Sequence, residues 1–185
     1  MPPSELHITL PSWVDEVVDW DRVYVSDDDR MQLAITLSRE SVVRDTGGPF
    51  GAAVFDGTGR LVSVGMNLVV AQRNSMLHAE IVALMMAERH VGSHTLKDPP
   101  HEIATSCDPC AMCLGSVLWS GVRRLICGAD CEDARALGFD EGPVFDESYQ
   151  YLEDRGILAT RGVLRHEARA VLELYRDRGG PIYNG

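Results

Sequence analysis

The sequence predicts a single α/β domain built on a mixed five-stranded sheet with helices on both faces. Three observations carry this. Two strand-like runs close on Gly57-Thr58-Gly59 as a hairpin; strands and helices then alternate as βαβαβ; and 185 residues run without a repeat, a low-complexity tract or a linker, a length that one core accommodates. A hairpin pairs antiparallel, whereas strands separated by a helix pair parallel, so the sheet is mixed.

Residues 1–25, with Pro2, Pro3, Pro11, Trp13 and Trp20, show no sustained period and read as an arm or an irregular cover. Ser26 before Asp27-Asp28-Asp29 starts a helix, because a hydroxyl caps the free amides and carboxylates suit the positive end of the dipole. Met31, Ala34, Ile35, Leu37, Ser38 and Val42 form its inner face, and Gly47-Gly48-Pro49 stops it. Residues 50–56 and 61–70 are the hairpin strands. A helix is expected over 78–90, with Ile81, Leu84 and Met85 spaced around it, then a strand over 103–106 and a helix over 110–119. A strand over 125–128, a short helix over 134–137, a last strand over 157–163 and a helix over 166–178 lead to the tail 179–185.

The 45% hydrophobic and 24% charged fractions are those of an ordinary globular protein. With 17 Lys plus Arg against 28 Asp plus Glu, the net charge of −11 disfavours a polyphosphate partner. The densest basic stretches, Arg123-Arg124 and 161–169, are interleaved with acids and apolar residues. A small uncharged substrate is expected, and no nucleic acid. No apolar run approaches the ~20 residues of a membrane span. Five cysteines and no basic-then-apolar start point to a reducing, cytoplasmic setting without membrane contact.

The chemistry lies in His78-Ala79-Glu80 and the later Pro109-Cys110-Ala111-Met112-Cys113. One imidazole and two thiolates make three zinc ligands, an arrangement that leaves a fourth position for water, as in catalytic sites. Zinc brings the pKa of such a water towards neutrality. Glu80, two residues from His78, reaches that water as general acid/base without being a ligand. Both Cys110 and Cys113 are expected in the first turn of their helix, whose positive end favours thiolate. A Cys-x-x-Cys pair alone would equally suit a redox pair or half a zinc finger; joined to His-x-Glu it is the signature of zinc-dependent nucleobase deaminases.

On these motifs the chain resembles the cytidine deaminase superfamily. Gly47-Gly48-Pro49-Phe50-Gly51, Asn67, Thr105-Ser106-Cys107-Asp108-Pro109-Cys110, Trp119 and Gly138-Phe139-Asp140-Glu141 resemble its guanine deaminase branch, over nearly the whole chain after the arm. The resemblance implies a three-layer α/β/α cytidine-deaminase-like fold over 1–185, one zinc per chain, a homodimer packed through the helices after the zinc motifs, and hydrolysis of guanine to xanthine and ammonia. It further implies that Asn67 hydrogen-bonds the base, that Phe50 stacks on it, that Trp119 closes one wall, and that Ala79 and Tyr183 contact substrate. Glu141 would assist departure of the amino group, with Asp140 the neighbouring candidate. The tail 179–185, with Tyr183 on a Gly-Gly-Pro tether, is expected to close the site.

One departure stands out: Asp108 replaces the Glu that usually precedes the Pro-Cys pair. Cys107 extends the run to Cys-x-x-Cys-x-x-Cys, but the fourth cysteine of a cluster site is missing, so it is expected to end a strand and pack. Cys127 and Cys131 read as buried free thiols, and His90, His94, His101 and His166 as surface or helix-end residues. Guanosine, cytosine or ammeline share the amino-bearing amidine carbon and remain open as substrates. A tRNA adenosine deaminase fits the acidic balance poorly. A non-catalytic zinc-binding protein of the same fold has no need of Glu80.

Overall fold

The computed structural model describes residues 4–184; residues 1–3 and Gly185, which belong to the expected arm and tail, lie outside the described residues. The arm carries one helical turn, α1 (Val14–Val17), and buries Trp13, Val14, Val18 and Tyr24. It thus packs as an irregular cover on the core rather than as a free arm. A bridge from Val23 to Arg60 ties its end to the hairpin.

Helix α2 (Asp27–Val43) begins at the expected cap. Ser26 Oγ accepts the Asp29 N–H at 3.0 Å and the Asp29 carboxylate accepts the Ser26 N–H at 3.2 Å, a reciprocal capping box. All six residues predicted for its inner face are buried. The helix ends at Val43, before Gly47, because Asp45 already turns left-handed at φ 53°.

Strands β1 (Gly51–Asp56) and β2 (Leu61–Met66) form the antiparallel hairpin. The expected second strand to residue 70 is corrected: beyond Met66 the Val69 N–H donates to Asn67 Oδ1 at 3.2 Å, and Val69–Gln72 coils into the short helix α3. Val69 and Val70 imitate a strand by composition, yet Val70 is exposed. Then follow α4 (Ala79–Val91), β3 (His101–Cys107), α5 (Ala111–Ser120), β4 (Arg124–Ala129) and α6 (Cys131–Arg135). The chain closes with α7 (Asp146–Asp154), β5 (Leu158–Thr160) and α8 (Arg165–Asp177).

Sheet order is β2-β1-β3-β4-β5, with β1 antiparallel to β2 and β3, and β3-β4-β5 parallel. Alternate residues feed two cores. Ala53, Phe55, Ala104 and Ile126 pack with α2 and α8; Ala52, Val54, Ile103, Leu125 and Cys127 pack with α4, α5 and α7. This is the expected three-layer α/β/α arrangement. Helix α7 was not foreseen, although Asp146 and Glu147 mark its first turn; its buried stripe is only Tyr149 and Leu152. The last strand is three residues, shorter than expected.

Gly65 sets the seat of α4. A Cβ there would lie 2.2 Å from the Ala79 carbonyl oxygen and 2.5 Å from the Ala83 nitrogen, so only glycine lets the helix backbone lie this close to β2. His101 is a second correction: it is 3% exposed, its Nδ1 within 3.0 Å of the Leu96 and 2.8 Å of the Pro99 carbonyl oxygens. Among the described residues no helix is long and apolar enough to cross a membrane.

Candidate active site

The two zinc motifs sit at helix starts on one edge of the sheet. His78 is the N-cap of α4 and Cys110 the N-cap of α5; both have extended backbones and neither gives a side-chain capping bond. The expectation that they lie inside the first turn is off by one residue, with a chemical consequence: their side chains are free to converge. Cys113, the third residue of α5, is fully buried. The ligating atoms of His78, Cys110 and Cys113 all lie within 4.8 Å of one another, and Cys110 Sγ is 3.6 Å from His78 Nδ1. The Cys110 thiol is held down to about 4, first by a hydrogen bond from Cys113 and then by His78, while Cys113 is pushed up. One nitrogen and two sulfur donors at this spacing fit zinc.

Two carboxyls face this cluster from different elements. Glu80, the second residue of α4, is 6% exposed, and burial, followed by the Cys110 thiolate, pushes it up to about 7. Glu141 is 5% exposed, and burial, followed by Cys110 and Glu80, pushes it up to about 8. A cation among the ligands would act against the thiolate contribution to both. The Glu141 backbone is pinned where its carbonyl accepts the Ala111 N–H at 2.9 Å, so the loop after α6 docks onto the start of α5. Gly142 then turns at φ 67°, its N–H donating to Asp140 Oδ1 at 2.8 Å.

Phe50, Asn67, His78, Glu80, Cys110, Glu141 and Tyr183, all expected at the site, border one cavity. Asn67 is 1% exposed, just beyond the end of β2. Its Oδ1 is engaged by Val69, which leaves its amide hydrogens for the cavity. Phe50 packs edge-on to Phe139 at 5.1 Å, and Tyr183 packs on the same ring at 5.2 Å. The free volume is about 10 Å³, room for about one water molecule. The tail covers it: the Asp140 N–H donates to the Asn184 carbonyl at 3.2 Å, and Asn184 Nδ2 donates to the Asp140 carbonyl at 3.0 Å.

Three expected contacts do not border the cavity. Trp119 is 78% exposed, on the side of α5 opposite the buried Cys113, Leu114 and Val117, and does not border this cavity. Asp140 is exposed, its carboxylate spent on Gly142. Ala79 packs in the sheet-side core, its carbonyl against Gly65. Conversely, Asp108 and Asn184 border the cavity without having been assigned there. Asp108 was visible beside the Pro-Cys pair; Asn184, in a short glycine-rich tail, carried no signal beyond its neighbour Tyr183.

Residues 25–129 match the family described as cytidine and deoxycytidylate deaminase zinc-binding region. Guanine deaminase of Bacillus subtilis is 34% identical over 127 residues, 69% of this chain and 80% of that protein. The solved guanine deaminase from Nitrosomonas europaea is 41% identical with a TM-score of 0.89, covering 96% of this chain and 99% of that one. A variant of a protein called NE0047, solved in complex with 8-azaguanine, is 42% identical with a TM-score of 0.89, covering 95% and 97%. Because the family match spans more than half the sequence and encloses all three converging ligands, the chain belongs to the cytidine and deoxycytidylate deaminase zinc-binding family.

Proposed function

We propose that this protein is a zinc-dependent aminohydrolase that converts guanine and water to xanthine and ammonia. The observation that carries the reading is one small cavity where His78 and Cys110, of the cluster completed by Cys113, meet two buried carboxyls, Glu80 and Glu141, and one carboxamide, Asn67. His78, Cys110 and Cys113 would hold one zinc ion per chain, and the ion supplies a Lewis acid that makes hydroxide available near neutral pH. Glu80 takes the proton released by the attacking water and delivers it to the ring nitrogen beside the amino-bearing carbon. Glu141, on the facing loop, hands a proton to the amino group as the C–N bond breaks and takes the hydroxyl proton of the same carbon as its C=O bond forms, so ammonia leaves and Glu141 ends protonated as it began. Two separately positioned carboxyls let both transfers proceed without bulk solvent. Asn67 donates to a carbonyl of the base, and the Phe50 ring lies against its face. Tyr183 and Asn184 exclude water once the base is in place, so entry of a purine requires the tail to lift.

The net charge of −11 and the small cavity support a free base over a polynucleotide. Exposed Trp119 on α5, with Met85 and Val91 on the adjoining α4, supports a homodimer that covers these helices. Five free, buried cysteines support a cytoplasmic setting. Ammonia release measured across guanine, guanosine, cytosine, cytidine, adenine and ammeline tests the reading. Guanine should be the preferred substrate and xanthine its product; release from another compound with guanine inert would overturn it.

A further inference from the structure

Behind the zinc ligands stands an ion pair that the deaminase chemistry itself does not call for. Asp108 lies two positions before Cys110, is 2% exposed, and borders the same cavity as Glu80 and Glu141. Its backbone is fixed where its N–H donates to the Ala129 carbonyl at 2.7 Å, at the end of β4. Both of its carboxylate oxygens are taken by one side chain. Arg161 Nε lies 3.3 Å from Oδ1 and 3.0 Å from Oδ2, and a terminal guanidinium nitrogen also donates to Oδ2. The guanidinium comes from just beyond β5 and lies over the Tyr149 ring of α7, 4.2 Å from its centroid. A contact chain therefore runs from α7 through Arg161 to Asp108 and on to the Cys110 turn.

The charge balance gives this chain a purpose. Three carboxyls and a thiol line the cavity, and among the described residues no Lys or Arg does. A carboxylate oxygen is also a zinc-type donor. Left unpaired, Asp108 would add a third free carboxylate beside the metal ligands, able to compete for the ion or to repel the other two. Two guanidinium donors converge on Oδ2 and Nε also reaches Oδ1, which takes both oxygens out of that competition, and lysine, as a single point of charge, does not reproduce it.

We propose that Arg161 is a positioning residue of the zinc site: by engaging both oxygens of Asp108 it anchors the turn that presents Cys110 and limits the free carboxyls at the metal to Glu80 and Glu141. The shorter Asp at this position is matched by an arginine delivered from just beyond β5, a segment that the sequence motif does not include. The proposal rests on the zinc-deaminase reading, so its test includes zinc release to a colorimetric chelator, which needs no substrate. Outer-shell partners of metal ligands are worth about 10–100-fold in affinity or activity. Arg161→Leu in the zinc-loaded enzyme should speed zinc release at least roughly tenfold and lower kcat on guanine by a similar factor, with little change in KM. Arg161→Lys should fall between Arg161→Leu and the parent. The double variant Arg161→Leu/Asp108→Asn, which removes the unpaired charge, should release zinc within about threefold of the Asp108→Asn single variant. Parent-like zinc release in Arg161→Leu, or a double variant no better than Arg161→Leu, overturns the proposal. Should Arg161→Leu fail to fold, the double variant decides: folded and zinc-retaining supports the proposal, and unfolded makes the pair a scaffold contact and overturns it. An enzyme inert on guanine whose variants still follow the zinc-release order would contradict the substrate and leave this inference standing.

Discussion

Gly65→Ala tests whether the close seat of α4 on β2 sets the catalytic geometry. The added methyl would stand 2.2 Å from the Ala79 carbonyl oxygen and 2.5 Å from the Ala83 nitrogen, both helix backbone. Ordinary heavy-atom contacts lie near 3.5 Å, so the start of α4 must retreat by roughly 1 Å. That carbonyl lies between His78, which caps the helix, and Glu80, its second residue, so the shift falls on one ligand and one proton carrier together. Overpacking of this kind costs about 1–3 kcal/mol of stability, and a misplacement of about 1 Å is worth about 100-fold in rate. Urea unfolding, zinc content and steady-state ammonia release from guanine, measured on the same preparation, are the assay. A folded, less stable protein with kcat lowered roughly 100-fold is expected. A variant within about twofold of parent kcat and within about 0.5 kcal/mol of its stability would refute the link between helix seat and catalysis.

Glu80→Gln should keep zinc and fold yet lose about 10²–10⁴-fold in turnover, since an amide cannot carry the proton; near-normal turnover removes Glu80 from the mechanism. Glu141→Gln should lower kcat by at least about tenfold, while Asp140→Asn, at an exposed carboxylate whose one hydrogen bond an amide oxygen can keep, stays near the parent value; the reverse order would move the second proton carrier by one residue. Removal of residues 181–185 takes away Tyr183 and Asn184 and should chiefly raise KM, with zinc retained; an unchanged KM would mean that the tail does not close over substrate.

Much of the site was legible because its residues are few, chemically unusual and close in sequence. His78, Glu80, Cys110 and Cys113 announce themselves by type and spacing, and the hairpin and alternating elements place them at neighbouring helix starts. The loop residues Glu141 and Tyr183 were reachable only through the resemblance, since an acid beside Gly142 or an aromatic near a chain end is ordinary by itself. What stayed hidden has physical causes. Trp119 is a large aromatic whose helical phase turns it away from Cys113 and Leu114, and phase shifts with the single-residue placement of the α5 start. Val69 and Val70 carry strand composition, but the Asn67 carboxamide turns the chain before they can pair. Helix α7 shows only Tyr149 and Leu152 as its buried stripe. Arg161 meets Asp108 across 53 positions of chain, and no local pattern reports such a contact.

The placement of both His78 and Cys110 at helix N-caps reaches beyond catalysis. Each gives up the side-chain cap that Ser26 provides for α2, a bond worth about 1 kcal/mol per helix. An ion bound to both replaces two local caps with one cross-link between positions 32 residues apart, closing a loop of chain much as a covalent bridge would. Metal occupancy and structural integrity are thereby joined in one equilibrium. Loss of the ion would remove that cross-link from the starts of α4 and α5, and local opening is where degradation begins. Starvation for the metal would then register in the cell as a smaller amount of protein, beyond any loss of rate per molecule.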